Sequence, residues 1–468
     1  MTESAAREPV DLLVTAAGIV TQDAQDHIFS PGALAVRGDR VLAVGPAGDV
    51  ASRYQAAKTI DAAGCYVFPG LINTHNHLWQ TLLKGLGDDM PLIAWIEALL
   101  VPTIPLLDDE ASYAAAALGA LEAARSGCTL TLDFFHHHPR TSIYDEVYRA
   151  FRDIGGGVIV GRAVRDRLPP NAPSPPNDLS FDGQLAHCRA LFEEHGPNGA
   201  WLAPSAMWAM TPQGLRQVRA MADELGMRIT IHMNEVKFDS EESERRWGVR
   251  SVPYLESLGF LEHDVLHAHG VWNDPADIEI LARRRSPVSY NPISNMYLAS
   301  GIPPIVAMRE AGVRLSLATD GAASNNSQDM IEALKFGALL QKVAHCDPLA
   351  VTAPEILRMA TIGGADSLGR ADLGRLAPGM QADFFVFDPR RPKSTPLHDP
   401  ISALVYTGGE HNVVTTVAAG RVILENGQFV SANEAELLER GQSVATSLAE
   451  RAGTLEKSRQ RRQQAQPR

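Results

Sequence analysis

Two histidines that flank a single asparagine, His75 and His77, are the residues whose spacing most clearly suggests chemistry. They lie in the segment YVFPGLINTHNHLWQTLLKG, directly after an apolar run that predicts a β-strand. Because alternate residues of a strand point to the same face, both imidazoles can approach one metal ion. A His-x-His pair is a weak signal by itself, so the other histidines and carboxylates decide its meaning.

Further reactive side chains follow apolar, strand-like runs later in the chain. His232 ends the run RITIH, His269 ends DVLHAH, and Asp320 ends VRLSLATD. When parallel strands close into a barrel, their carboxyl ends meet at one rim, which is where the active sites of such barrels lie. We therefore expect these three residues to share one site with His75 and His77.

Glu235 lies three residues after His232, and on a continuous strand two such residues would face opposite ways. It reaches the same site only if the strand ends near His232 and the following loop curls back. The segment HMNE is not the helical HExxH motif of metalloproteases, and the chain lacks the PCxxC motif of small zinc deaminases. The consecutive histidines His136–His138 follow the strand-like run TLTLDFF, so one of them could also line the pocket.

The segments that must position these residues alternate between helical and strand-like patterns over residues 68–372. Pairs such as LRQVRAMADELG with MRITIHMNE recur along this stretch. The alternation predicts an α/β fold with a (β/α)8 barrel; an open doubly wound sheet is the alternative, but no GxGxxG turn follows the first strand. Short strands in residues 1–67 and 373–432 predict a small β-sandwich built from both chain ends, and residues 433–468 predict a C-terminal helix with a polar tail.

Composition narrows the classes of function. The chain has 468 residues, 45% of them hydrophobic, and its formal net charge of −13 disfavours nucleic-acid binding. The cysteines are scattered without a CxxC pair, and we find no signal-peptide pattern and no apolar run of about 18 residues. These features predict a cytoplasmic protein that does not span a membrane.

Several longer motifs resemble those of the metal-dependent amidohydrolase superfamily. They are PGLINTHNHLWQTLLKGL, HMNE, HAHGVW, NPISNMYLASGIPPI, LATDGAASNNSQDM and LRMATIGGADSLGRADLGRLAPGMQADFFVFD, in the family's order. The chain is most similar to the branch that contains cytosine, guanine, 8-oxoguanine and adenosine-type deaminases and the s-triazine hydrolases. This resemblance implies a hydrolase that acts on C–N bonds of cyclic amidines and releases ammonia or an amine.

The resemblance also implies a role for each residue of the expected site. Four residues match the ligands of one divalent metal, with zinc as the first expectation and iron as the alternative: His75, His77, His232 and Asp320. Three residues match the catalytic groups: Glu235 as a proton shuttle, His269 as the second catalytic histidine, and Asp320 as a proton acceptor. No lysine lies between Lys84 and Lys237, so the bridging lysine of the two-metal branch has no counterpart, which implies a single metal.

The same resemblance suggests substrate contacts. Trp79, Gln80, Trp95 and Arg162 are expected to bind the substrate, although ordinary core packing would also account for the two tryptophans. Ile104 stands where deaminases of adenosine derivatives carry an acid for the ribose hydroxyls. This difference favours a free amino-heterocycle, which could be a purine, a pterin, a pyrimidine or a triazine.

Three alternatives remain open from the sequence. They are deamination of adenosine-type nucleosides such as methylthioadenosine or S-adenosylhomocysteine, dechlorination of an s-triazine, and a catalytically inactive structural relative. A complete ligand set disfavours the last. The presence of Glu235 and His269 favours C–N over C–Cl cleavage, because a chloride leaving group needs no proton. The expected partner is a small molecule, with no nucleic acid and no membrane, and the family suggests a homo-oligomer.

Overall fold

The structure is a computed structural model that describes residues 7–168 and 178–465. Its first strands belong to a mostly antiparallel sheet: β1 Glu8–Val20, β2 Ile28–Phe29, β3 Gly32–Arg37, β4 Arg40–Pro46 and β5 Tyr54–Pro69. Alternating apolar side chains of these strands, such as Leu12, Val14 and Ala16, form the core of this sheet. The chain then passes through Gly70 directly into the barrel.

Eight parallel strands form the barrel, and they are hydrogen-bonded to one another in the order in which they follow along the chain. They are β6 Leu71–Asn76, β7 Cys128–Phe135, β8 Gly157–Val164, β9 Ala200–Pro204, β10 Ile229–Met233, β11 Val265–His269, β12 Val288–Tyr290 and β13 Leu315–Leu317. Every residue of β7 is buried, as expected for a strand with helices on one side and the barrel interior on the other.

Helices connect the strands and cover the outside of the barrel. They are α1 Ala47–Arg53, α2 Leu92–Trp95, α3 Val101–Thr103, α4 Asp109–Arg125, α5 Ser142–Ile154, α6 Phe181–His195, α7 Pro212–Leu225, α8 Lys237–Trp247, α9 Ser251–Ser257, α10 Pro275–Arg284, α11 Pro292–Tyr297, α12 Ile305–Glu310, α13 Met330–His345, α14 Ala353–Ala360, α15 Ile362–Leu368, α16 Pro400–Ser402, α17 Glu434–Arg451 and α18 Thr454–Ala465. Their ends follow local chemistry. Thr211 caps α7 by accepting a hydrogen bond from the N–H of Gly214, and Gly226 ends it in a left-handed conformation.

The last strands return to the first sheet: β14 Phe384–Phe387, β15 Val413–Ala418, β16 Arg421–Glu425 and β17 Gln428–Phe429. Strand β14 pairs antiparallel with β5 and places Phe385 opposite Phe68. The rings of these two residues stack with centroids 5.5 Å apart. The predicted fold, a barrel with a β-structure built from both chain ends, is confirmed.

The end of the chain is more helical than its polar composition suggests. Helix α18 continues to Ala465, where the sequence predicts a polar tail, and the last three residues lie outside the described part. A contact with the barrel helps to explain the difference, because Arg461 donates to the carbonyl of Leu86 at 2.5 Å. Among the described residues, no helix is both long enough and apolar enough to cross a membrane.

Candidate active site

The carboxyl ends of the barrel strands bring together all six residues predicted to form the catalytic centre. His75 lies near the end of β6, His232 in β10 and His269 at the end of β11. The other three follow strand ends directly or within three residues: His77, Glu235 and Asp320. Strand β10 ends at Met233, so the chain turns before Glu235, as its predicted role requires.

Ligand-type atoms from these residues lie close enough to hold one ion. Those of His75, His77 and His232 are within 4.8 Å of one another, and the same holds for His75, His269 and Asp320. Oδ1 of Asp320 lies 3.4 Å from Nε2 of His75 and 3.4 Å from Nε2 of His77. We call His75, His77, His232 and Asp320 the metal group.

Backbone carbonyls fix the tautomers of two histidines in the metal group. Nδ1 of His77 lies 2.6 Å from the carbonyl oxygen of Phe134, and Nδ1 of His232 lies 3.0 Å from that of Ser205. A carbonyl can only accept, so each Nδ1 carries the proton and donates it. When these rings are neutral, both Nε2 atoms present lone pairs, and these two atoms are 3.2 Å apart.

The opposed lone pairs are the strongest structural sign that a cation belongs here. Two ligands about 2.1 Å from one tetrahedral ion lie about 3.4 Å apart, which agrees with the separations within the metal group. In addition, neither ring nitrogen of the fully buried His75 has a hydrogen-bond partner among the described residues. Three imidazoles and one carboxylate therefore fit a divalent metal, and the carbonyls behind them hold the rings in place.

Amide groups hold His269 in the opposite tautomer. Asn291 and Asn295 donate through Nδ2 to its Nδ1, at 3.2 and 3.1 Å. The neutral ring then carries its proton on Nε2, which lies 3.6 Å from Oε2 of Glu235 and 3.8 Å from Oδ2 of Asp320. His269 thus directs an N–H towards two carboxyl groups, while the metal group directs lone pairs inwards.

The electrostatics of the site favour different charge states for its two carboxyl groups. Burial, followed by the charges of Asp320 and Asp239, raises the pKa of Glu235 well above its usual range. Burial also opposes ionisation of Asp320, but the imidazoles of His75, His269 and His77 hold its pKa well below the usual value. The two shifts therefore favour the protonated form of Glu235 and the ionised form of Asp320.

Burial also favours the neutral forms of His77, His232 and His269. It lowers the pKa of His77 to about 4, with the nearby His75 as the next cause, and that of His269 to about 3. The same cause places the pKa of His232 well below its usual value. Neutral imidazole is the form that binds a metal.

The backbone is strained where two of these residues emerge from their strands. His269 has φ of 77° and Asp320 has φ of 66°, a left-handed conformation that non-glycine residues seldom adopt. Such strain persists only where the surrounding structure enforces it, and it is concentrated at functional sites. Gly321 then brings the chain against His77, since a Cβ at this position would lie 2.9 Å from Cβ of His77.

The predicted substrate contacts divide into two sets. Trp79 and Gln80 lie two and three residues after His77 of the metal group. The side-chain amide of Gln80 has no hydrogen-bond partner among the described residues. Trp95 is 4% exposed and donates from its indole to the carbonyl of Ala323 at 2.9 Å, as a core residue would. Arg162 is fully buried and lies beside His137 instead of the metal group, with 3.1 Å between Nη1 and Nδ1.

His136 is a residue of the site that sequence reasoning left undecided. Its ring lies 4.5 Å from the ring of His77, centroid to centroid, and its Nδ1 accepts a hydrogen bond from the indole of Trp79 at 3.1 Å. The run of three histidines gave a signal, but did not indicate which of them turns towards the site. Asn291 and Asn295 lie in the motif NPISNMYLASGIPPI, but the motif did not indicate their contact with His269, because His269 lies on another strand.

The fold and site correspond to a known family. The sequence matches the amidohydrolase family model over residues 66–423. The chain belongs to the amidohydrolase family, and the class of hydrolase predicted from the motifs is confirmed.

Named relatives resemble the chain over nearly its whole length. It is 35% identical over 450 residues to the 5-methylthioadenosine/S-adenosylhomocysteine deaminase of Pelotomaculum thermopropionicum, covering 94% of this chain and 99% of that protein. It is 38% identical over 386 residues to the 5'-deoxyadenosine deaminase of Methanopyrus kandleri, covering 82% and 86% of the two chains.

Solved structures agree with this placement. An adenosine deaminase from Xanthomonas campestris with bound zinc superposes with a TM-score of 0.89 at 29% identity, covering 95% of this chain and 99% of that one. An atrazine chlorohydrolase from Arthrobacter aurescens complexed with zinc gives a TM-score of 0.85 at 24% identity, with coverage of 93% and 100%. At that identity the second likeness concerns the fold alone.

Proposed function

We propose that the chain is a mononuclear, zinc-dependent aminohydrolase that replaces the amino group of an aminopurine ring by a carbonyl and releases ammonia. The observation that carries this proposal is the convergence of the metal group beside Glu235 and His269. The purine ring is suggested by the relatives, whose names refer to adenosine derivatives.

Zinc is the metal that the donor set suits best, although iron accepts the same imidazole and carboxylate ligands. A zinc-bound relative of the same fold supports this choice. When bound, such an ion lowers the pKa of water from about 15.7 towards about 7, which makes a nucleophile available at neutral pH.

The side chains of the site would move the protons. Glu235, protonated because its pKa is raised, would donate to a ring nitrogen while the adjacent carbon is attacked. Asp320, ionised because its pKa is low, would accept the proton of the attacking water. His269, with its proton on Nε2, would orient that water, since its Nδ1 is held by two amides. The amine then leaves with a proton, and a ring carbonyl remains.

Trp79 and Gln80, which lie shortly after His77 in the sequence, would recognise the substrate ring. Gln80 offers one donor and one acceptor without partners among the described residues, which suits the amide-like edge of a heterocycle. Trp79 supplies a rigid wall, because its indole is fixed on His136. Trp95 and Arg162 would act further from the reacting atoms, given their contacts with Ala323 and His137.

Two lines of support differ on whether the aminopurine ring carries a ribose. The relatives' names favour a 5'-substituted nucleoside, whereas Ile104 at the predicted ribose position favours a free base. The aminopurine ring is common to both. We place the nucleoside first, because the similarity covers 94% of the chain and the case for the free base rests on one residue.

An ammonia-release screen of the zinc-loaded protein tests the proposal. The panel contains 5'-methylthioadenosine, 5'-deoxyadenosine, adenosine and S-adenosylhomocysteine, with adenine, aminopterins and aminotriazines beside them. We expect ammonia from at least one aminopurine substrate. Chloride release from a chlorotriazine without deamination would replace the proposal, and metal retention with no product from any compound would favour the inactive relative. The homo-oligomeric state and the cytoplasmic location remain predictions.

A further inference from the structure

The barrel is closed differently at one of its eight strand junctions. Seven neighbouring pairs, from β6–β7 to β12–β13, are joined by parallel backbone ladders. Between β13 and β6 the described residues form no such ladder. One backbone hydrogen bond crosses this junction, from the N–H of Asp320, which follows β13, to the carbonyl of His75 in β6, at 3.1 Å. We call this junction the seam.

Side chains replace the missing ladder at the rim of the seam. Nδ2 of Asn73 donates to Oγ1 of Thr319 at 2.8 Å, and the backbone N–H of Thr319 donates to Oδ1 of Asn73 at 3.1 Å. Nδ2 of Asn76 reaches the same hydroxyl at 3.3 Å. The hydroxyl itself donates to the carbonyl of Asp320 at 3.0 Å. A threonine hydroxyl has one donor and two acceptor positions, and all three are used here.

These contacts hold the two halves of the metal group together. His75 lies in β6 and His77 directly follows it, whereas Asp320 follows β13, so the seam runs between these ligands; the fourth ligand, His232, lies in β10. Asn73 lies two residues before His75, Asn76 separates the two histidines, and Thr319 precedes Asp320. The carbonyl that Thr319 holds belongs to Asp320, whose φ of 66° needs enforcement from its surroundings.

A second contact stiffens the histidine side of the seam. Asn76 also donates to Oε1 of Gln328 at 2.7 Å, and Nε2 of Gln328 donates to Oγ1 of Thr81 at 2.8 Å. Asn73, Asn76 and Thr319 are all nearly inaccessible to solvent. Because their polar groups are buried, water cannot replace a lost partner without rearrangement.

We infer that Thr319 and Asn73 are positioning residues that set the distance between the carboxylate and the imidazoles of the metal site. Neither residue belongs to the groups of possible metal ligands in the described part of the chain. Their effect is exerted through the placement of Asp320 against His75 and His77. This inference rests on the proposed metal site, and it extends that site to residues that bear no ligand.

The test measures zinc affinity by competition with a chromogenic chelator. Thr319→Val keeps the shape of the side chain but removes the hydroxyl, and we expect it to weaken zinc binding about 10- to 100-fold, as for other residues that orient metal ligands. Thr319→Ser keeps the hydroxyl and should restore affinity to within about threefold of the wild type. Ser316→Ala is the matched control, because Ser316 crosses the same seam to Thr74 at 2.9 Å but lies four residues before Asp320. It should leave zinc affinity unchanged.

Two results would contradict the positioning role of Thr319. Wild-type affinity in Thr319→Val, or an equal loss in Ser316→Ala, would overturn it. If Thr319→Val does not fold, Asn73→Ser tests the same contact from the side of β6. It should weaken zinc binding in the same range. When Thr319→Val and Asn73→Ser are combined, their losses of zinc affinity should not add, because each substitution removes the same contact. A wild-type protein that binds no zinc would instead overturn the metal site itself.

Discussion

Two histidine-rich regions lie at the same rim of the barrel, and they differ in what their histidines face. In the metal group, the imidazoles come from two distant strands, β6 with its end and β10, and converge on one point. In the HHH segment, His136–His138, three histidines are consecutive but diverge: His136 meets Trp79, His137 meets Asp178 and Arg162, and the backbone N–H of Arg140 donates to His138. Local histidine density is therefore a poorer guide to a metal site than convergence from distant strands.

The charges around the two regions sharpen the contrast. Burial, followed by Arg162, lowers the pKa of His137 to about 4, and Arg165 lies 3.3 Å from the carboxylate of Asp178. The guanidinium groups of Arg162 and Arg165 therefore already supply positive charge beside the HHH segment. No set of three possible metal ligands in the described part of the chain includes a residue of the HHH segment. In the described part of the chain, the ion-pair partners of the metal group's carboxylate, Asp320, are imidazoles and no guanidinium, and Oδ1 also accepts from the N–H of Gly321.

Removing a ligand should separate the two regions most strongly. In His232→Ala, we expect zinc occupancy to collapse and activity to fall by at least about 10³-fold, because the ion contributes several kcal/mol of transition-state stabilisation. His137→Ala is the control from the HHH segment and should retain full zinc occupancy. Elemental analysis after gel filtration and an ammonia assay measure both quantities. Full occupancy in His232→Ala would show that the metal lies elsewhere.

Glu235→Gln should cut turnover by at least about 10²-fold while zinc stays bound, because proton transfer is lost but the metal group is intact. The raised pKa of Glu235 also fixes the direction of the pH dependence. In the wild type, the protonated form is lost as the pH rises through that pKa, so turnover should fall on the alkaline side. The variant should lack this alkaline limb. Near-wild-type turnover in Glu235→Gln would refute the shuttle role.

His267 lies on the same strand as His269 but outside both regions, and it provides a baseline for buried histidines. Burial lowers its pKa to about 3, so below the usual value of 6.5 the unfolded chain binds a proton that the folded chain does not. The free energy of unfolding should therefore fall as the pH drops below about 6.5, by up to roughly 1.4 kcal/mol per pH unit for this residue. His267→Gln should reduce the slope measured by urea denaturation between pH 7.5 and 5.5. Identical slopes in both proteins would contradict this expectation.

The smallest effect should come from His136, which belongs to the HHH segment but packs on His77 of the metal group. His136→Ala removes the hydrogen bond to Trp79 and the packing on His77. We expect kcat/KM to fall about 3- to 10-fold with zinc retained, in line with about 1 kcal/mol for one hydrogen bond. His138→Ala should change kcat/KM less. Loss of zinc in His136→Ala would show that His136 belongs functionally to the metal group.

The sequence predicted the fold and the convergence of the site because both follow from patterns that repeat along the chain. Strand-end positions of His75, His232 and His269 follow from the alternation of strands and helices. Contacts between distant segments were not predictable in this way. Thr319 and Asn73 meet across 246 residues, and no spacing marks either of them. Arg162 was expected in the pocket from the family resemblance, which did not indicate its hydrogen bonds with His137 and His187; its role in substrate binding stays a prediction.

The order of the strands along the chain also has a consequence for biosynthesis. The ligands of the metal group come from the first, the fifth and the last strands of the barrel, so a growing chain carries His75 and His77 long before Asp320 exists. Contacts between such distant segments form late, because loop closure must precede them. The proposed zinc would therefore meet its full ligand set only after the last barrel strand has been synthesised. Metal loading would then distinguish finished chains from truncated ones.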